Sequence, residues 1–276
     1  MTAPLTCSAN TLRFADLPSR AAAAAAAGFT GLGLRVADYV DSGMSDEEIR
    51  DLLDRHGLRV LELEHTWDWA AGEDRVEEAV FRLADRIGVR QLNVPMFFEH
   101  PTAELVEPFG ALCDRAAAHG VLVGFEFLPY SHVRTFGEAW EVVAAAGRPN
   151  SGVVIDLWHW FRSGATPADL DGVPASAITS LQLCDVLPEA GPDLADEARH
   201  RRQLPGHGTG DTLGLLGALR DRGVHAPASV EVFSDDLDAR PAAEAARLAF
   251  DAGAAVLDRT GYSPASWTTN LEAAGR

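Results

Sequence analysis

Short apolar runs recur along the chain, separated by segments with helical spacing. Runs at residues 5–8, 31–36, 59–64, 91–95, 122–127, 153–157, 180–184 and 228–232 have the length of buried strands and are bounded by turn residues. Between them, apolar positions three and four apart over 46–55, 75–87, 108–119 and 135–146 predict amphipathic helices. Several of these segments close on a glycine just ahead of the next run: HGLRVLEL, IGVRQLNV, HGVLVGFEF, RGVHAPASVEV. A glycine ending a helix before a strand is the grammar of an αβ loop. The alanines from Ala21 to Ala27, closed by Gly28, read as the tail of a capped helix rather than a disordered tract. Eight strands alternating with helices predict parallel βαβ units and a closed (β/α)8 TIM barrel, an α/β fold forming one domain over residues 1–276. The competing open, doubly wound sheet usually has fewer strands and a glycine-rich first turn, and neither GxGxxG nor a P-loop pattern occurs.

Composition narrows the function. The 276 residues are 47% hydrophobic, enough for one large core, and no linker-like stretch marks a boundary. A net charge of −18 repels phosphate backbones and anionic lipid, so nucleic acid and membrane are not expected partners. No apolar run approaches the ~20 residues of a membrane span. The N-terminus, MTAPLTCSANTLRF, lacks the basic start and long apolar run of a signal peptide. Cys7, Cys113 and Cys184 are scattered singly, with no CxxC pair for zinc or redox chemistry, which fits a reduced cytoplasmic setting. All 23 basic residues are arginine, and a chain without lysine cannot form a lysine Schiff base.

In a TIM barrel the C-terminal strand ends form the active face. Polar residues gather there: Glu62, Glu64 and His65 in LELEHTW, Asn93 in LNVP, Glu126 in GFEFLP, Asp156 and His159 in IDLWH, Gln182 and Asp185 in LQLCDV, Glu231 in SVEVF. Glu126, Asp156, Gln182 and Glu231 lie on four successive strands, each after an apolar run, and a closed barrel would converge them on its axis. Three carboxylates in one dry space need a counter-charge, and no arginine lies inside these strands. A divalent cation is the simplest solution. Three carboxylates and an amide suit Mn²⁺ or Mg²⁺, with Co²⁺ as a further option, better than structural zinc.

From about residue 5 to residue 258 the chain resembles the xylose isomerase-like TIM barrels, which include ketose 3-epimerases, inosose-processing enzymes, 3-dehydroshikimate dehydratases and, more distantly, apurinic endonucleases. Glu126 in GFEFLP looks like the family's first metal glutamate. IDLWH looks like its D-x-x-H, with Asp156 the metal aspartate and His159 its companion. Glu231 in SVEVF looks like its last metal glutamate. RQLPGHG resembles an R-x-x-P-G-x-G segment, whose arginine, here Arg202, contacts substrate oxygens. Epimerases of the family place histidine at the position of Gln182; glutamine there looks more like the dehydratases.

Each candidate also has a plainer reading. The carboxylates could be paired with arginine, Gln182 and Asn93 satisfied by backbone, and His159 packed among tryptophans. Asp185 could cap a loop and Arg202 lie on the surface. Taken together the residues predict a metal-dependent isomerase or epimerase of a small polyhydroxylated carbonyl compound, in carbohydrate metabolism. Glu126 and Glu231 would remove and return a proton, as such a pair does in related epimerases. Arg202, His65 and Asn93 would contact substrate. The alternative is a dehydratase or lyase using the same site, with His159 protonating a departing hydroxyl. A homodimer or homotetramer is compatible with the class. The segment 187–211, inside the 49 residues between Gln182 and Glu231, is expected to fold over the site and deliver Arg202.

Overall fold

A computed structural model describes residues 4–64, 67–72 and 75–275. Eight parallel strands close into a barrel in sequence order, β1 pairing with β8. They are β1 (Leu5–Cys7), β2 (Gly31–Arg35), β3 (Arg59–Glu64), β4 (Val89–Pro95), β5 (Leu122–Glu126), β6 (Ser151–Asp156), β7 (Ile178–Leu183) and β8 (Ala228–Val230). Every predicted strand is present, with ends moved by no more than a few residues. No helix among the described residues is long and apolar enough to cross a membrane.

The helices begin and end where their caps dictate. Asp16 accepts from the Ser19 amide at 2.8 Å and starts helix Leu17–Ala27, which Gly28 ends in the left-handed region at φ 110°. Ser45 with Glu48 and Thr135 with Glu138 form capping boxes at the starts of Asp46–His56 and Phe136–Ala146. The alanine run packs against the long helix Ala242–Thr260, where small side chains let the two backbones approach.

Each strand is apolar on one face and polar or small on the other. Leu32, Leu34, Leu61, Leu63, Val153 and Ile155 are buried in the main core, each contributing ~1.5–3 kcal/mol. The alternate positions carry Glu62, Gln91, Asn93, Ser180, Gln182 and Ser229, also buried. These polar residues fill the barrel's inside, because their bonds cross it. Gln91 of β4 donates to Ser180 of β7 at 2.8 Å, and Gln182 of β7 to Glu64 of β3 at 3.2 Å. Glycine makes room for them. A Cβ on Gly33 would lie 2.9 Å from the Ala9 amide nitrogen and 3.3 Å from Glu62 Cγ, and one on Gly124 2.6 Å from Gln91 Nε2.

Candidate active site

The site grows from the C-terminal ends of the strands. Asp156 ends β6 and caps the short helix Leu157–Arg162, its Oδ1 accepting from the His159 amide at 2.9 Å. That cap explains the D-x-x-H spacing, since it fixes the imidazole one helical turn beyond the carboxylate. His159 Nε2 then lies 3.3 Å from Glu126 Oε1 at the end of β5. One ligand atom each from Glu126, Asp156 and His159 fall within 4.8 Å of one another.

The long segment after β7 supplies the other half. Residues 201–203 bridge the loops that follow β7 and β8: the Arg202 amide donates to Phe233 and the Gln203 amide to Asp185. With its backbone clamped on both sides, Arg202 points inward and is 3% exposed. Its Nη1 donates to Asp156 Oδ2 at 2.6 Å and Glu231 Oε2 at 3.1 Å, and its Nη2 lies 3.4 Å from His159 Nε2. The same segment contains a helix, Leu194–His200, whose buried Glu197 accepts from Arg162 and from Trp158 Nε1. Asp185 is the loop's organiser, accepting from the amides of Val186, Gly206 and Gly210 and from the Thr212 hydroxyl. Gly208 is glycine because a Cβ would meet Asp185 Oδ1 at 2.5 Å.

Glu231 completes the cluster. Its Oε1 accepts from Ser8 Oγ and Asn10 Nδ2, both at 3.0 Å, and Asn10 also donates to Glu64 Oε2 at 2.5 Å. Gln182 turns Nε2 toward Glu64, leaving Oε1 buried without a hydrogen-bond partner among the described residues. Asn93 lines the cavity, but its amide is held by Glu62 at 3.2 Å and Gln91 at 2.7 Å. The cavity is about 670 Å³, with Pro95, Phe97, Leu128, Tyr130 and Phe233 as its apolar walls.

The acids respond to this crowding. Burial pushes Glu231 up to about 7 even though Arg202 opposes it. Burial and the charge of Glu231 raise Glu62 to about 8 and Glu64 well above the ordinary glutamate value. For Asp156, burial works upward, but Arg202 and His159 outweigh it and hold the carboxyl below its usual value. The three cysteines are free and buried; burial lifts Cys7 and Cys113 to about 12 and Cys184 well up, so the thiols are inert.

The structure thus brings Glu126, His159, Arg202 and Glu231 to the lining of one cavity, with Asp156 fully buried against Arg202 and Gln182 fully buried against Glu64, while His65 lies outside the described residues. One step of the sequence reasoning is corrected. The counter-charge within the barrel mouth does not have to come from a cation alone, because the loop brings Arg202 onto Asp156 and Glu231. That guanidinium offsets one charge among Glu64, Glu126, Asp156 and Glu231. Among the described residues, the side chains with ligand atoms close enough together to hold a divalent ion are Glu126, Asp156 and His159, while Glu231 meets Asp156 through Arg202 and Gln182 Oε1 has no hydrogen-bond partner. Sequence reasoning missed Ser8 and Asn10. Their only signal was the polar SAN that follows the short run LTC.

With this geometry in place, the comparisons are consistent. The chain belongs to the xylose isomerase-like TIM barrel family, whose description matches residues 21–255. A 3-dehydroshikimate dehydratase of Pseudomonas aeruginosa is 29% identical over 237 residues, 82% of this chain and 37% of that protein. An inosose isomerase of Halalkalibacterium halodurans is 34% identical over 150 residues, 54% of this chain and 52% of its own length. The chain therefore spans between about a third and a half of these curated relatives, which are enzymes. Among solved structures, the IOLI protein with a binding zinc atom superposes with a TM-score of 0.83 at 21% identity, covering 94% of this chain and 99% of that one.

Proposed function

We propose that this chain is a divalent-cation-dependent dehydratase: it takes the proton α to the carbonyl of a small polyhydroxylated ketone and expels the β-hydroxyl as water. The observation that carries this reading is His159 Nε2, placed between Glu126 at 3.3 Å and Arg202 at 3.4 Å. One nitrogen cannot serve both partners at once. Carrying a proton, it donates to Glu126; without one, it accepts from Arg202. His159 is thereby poised to give up a proton at Nε2 and to be held in place afterwards, which a departing hydroxyl requires. Mn²⁺ or Mg²⁺ held by Glu126, Asp156, Gln182 and Glu231 would polarise the carbonyl and stabilise the negative charge left by the α-proton. Glu126 and Glu231 offer the carboxylates that accept that proton, and Arg202 helps hold Asp156 ionised against its burial. The dehydratase relative supports this reading by its extent, 82% of the chain, as does glutamine at position 182.

Isomerisation is the second reading, favoured by the 34% identity to an inosose isomerase. It shares the first half-reaction and ends with the proton returned by a facing carboxylate. Turnover in D₂O with Mn²⁺ separates the two. A product lighter by one water supports dehydration; deuterium at the α-carbon without loss of mass supports isomerisation; neither, over 3-dehydroshikimate and an inosose, rejects both. His159→Asn should lower kcat by about 10²–10⁴-fold if the reaction is elimination, and far less if it is isomerisation.

A further inference from the structure

The cavity is electrically divided. Glu64, Glu126 and Glu231 line its deep side, while Arg13, Arg35 and Arg199 line its rim. Two of the rim arginines already have carboxylate partners: Arg13 donates from Nε to Asp238 at 2.9 Å, and Arg35 from Nη2 to Asp38 at 2.8 Å, a carboxylate it shares with Arg20. Among the described residues the Arg199 guanidinium has no carboxylate or other hydrogen-bond partner; it stands 6.0 Å from the centre of the Tyr130 ring. Its backbone is not adrift. Arg35 Nη2 donates to the Arg13 carbonyl at 3.1 Å, and Arg13 Nη1 donates to the Arg199 carbonyl at 2.6 Å. Those two bonds stitch the loops after β1 and β2 to the helix Leu194–His200, so the base of Arg199 is fixed over the mouth of the cavity.

A spare cation in that place has a consequence. With 41 acidic residues against 23 arginines, the surface as a whole repels anions. A neutral polyol ketone would gain only hydrogen bonds from an uncompensated guanidinium at the rim, whereas an anionic one would gain charge pairing as well and be oriented with its carbonyl end toward the acids. Arg199 itself supplies one positive charge, the complement of one carboxylate, and the planar fork of a guanidinium fits two carboxylate oxygens side by side. We propose that Arg199 is the carboxylate-binding residue of this enzyme and that its substrate is a polyhydroxylated keto acid. This rests on the ketone reading above, since it assigns the other end of the same molecule.

Calorimetric titration with 3-dehydroshikimate, an acid, and with an inosose, which is neutral, tests the assignment in wild type, Arg199→Gln and Arg199→Lys. The acid should bind wild type more tightly than the inosose. Arg199→Gln should weaken the acid about tenfold and the inosose less than twofold, with partial recovery in Arg199→Lys. Salt should weaken the acid alone. Binding of the acid that is unchanged in Arg199→Gln overturns the proposal, as does wild type that prefers the inosose or fails to bind the acid. Arg199-dependent binding without turnover would keep this assignment while rejecting the dehydratase reading.

Discussion

Arg20 and Arg202 are both buried guanidiniums gripping carboxylates, yet their surroundings set them different tasks. Arg20, on the helix Leu17–Ala27, is 0% exposed, donating to both oxygens of Asp38, at 2.6 and 3.2 Å, and to the Ala15 carbonyl at 3.1 Å. Burial works against ionisation of Asp38, but Arg35 and Arg20 together hold its carboxyl down at about 2. Arg202 is as deeply buried, but it divides itself between Asp156, Glu231 and His159 and faces a cavity. In the first, Arg20 does not line the cavity and its side-chain bonds go to Asp38 and the Ala15 carbonyl, while Asp38 is shared with Arg35. The second is a pair whose acids have a further possible partner, because a cation or a substrate can reach them. Burial alone does not separate structural from functional charge; what separates them is whether the charge opens onto space that something else can enter.

The comparison breaks if both clusters answer metal in the same way. Asp38→Ala strands Arg20 in an apolar setting and should cost about 3–5 kcal/mol of stability, whatever the metal content of the buffer. Arg202→Ala strands Asp156 and Glu231 instead. It should cost about 2–3 kcal/mol in metal-free buffer, with much of the melting temperature recovered on adding Mn²⁺, while kcat/KM stays depressed. Thermal melts with and without Mn²⁺ read both. Recovery of Asp38→Ala by Mn²⁺, or no recovery of Arg202→Ala, would erase the distinction.

A smaller effect separates the floor of the barrel from both clusters. Glu62 has no arginine beside it, and burial keeps its carboxyl protonated up to about pH 8, whereas an unfolded chain releases that proton near 4.5. Between those values the native state holds the extra proton. Its stabilising contribution is therefore complete below about 4.5 and lost as pH rises through about 8. Metal-free protein should melt lower at pH 8.5 than at pH 6, and Glu62→Gln should remove on the order of 1–2 kcal/mol of that slope. A slope unchanged in Glu62→Gln would place the responsible proton elsewhere.

Much of the site was legible because the barrel repeats one rule: after a strand comes a turn toward the active face, so acids following apolar runs converge. Glu126, Asp156, Gln182 and Glu231 were readable on that rule. Two things were not. The motif around Arg202 marks it as a substrate contact carried by its loop but not its pairing with Asp156 and Glu231, which depends on backbone bonds of residues 202 and 203 to Phe233 and Asp185 that span distant parts of the sequence. The inward polar face, with Gln91 bonded to Ser180 across the barrel, was hidden because strand periodicity gives alternation but not which side is closed. Reaction type was harder still. The strand ends suit isomerisation and elimination alike, and within the structure the weight toward elimination comes from the contacts of His159 with Glu126 and Arg202.

The smallest expected effect concerns how the barrel makes a neutral amide a usable ligand. An amide has one metal-binding atom and can turn it either way. Gln182 is settled by Glu64: Nε2 donates to the carboxyl at 3.2 Å, so Oε1 is the end left without a hydrogen-bond partner among the described residues. Asn10, bonded to both Glu64 and Glu231, holds that carboxyl in place. Glu64→Ala should therefore lower Mn²⁺ affinity about tenfold without removing a ligand, and Gln182→Ala should do the same. If Glu64 acts through the amide, the double variant should bind Mn²⁺ no more weakly than Gln182→Ala alone, a coupling of about 1.4 kcal/mol in a double-mutant cycle. Additive losses would mean that Glu64 acts on the ion by its own charge, and the orientation of Gln182 would then need another cause.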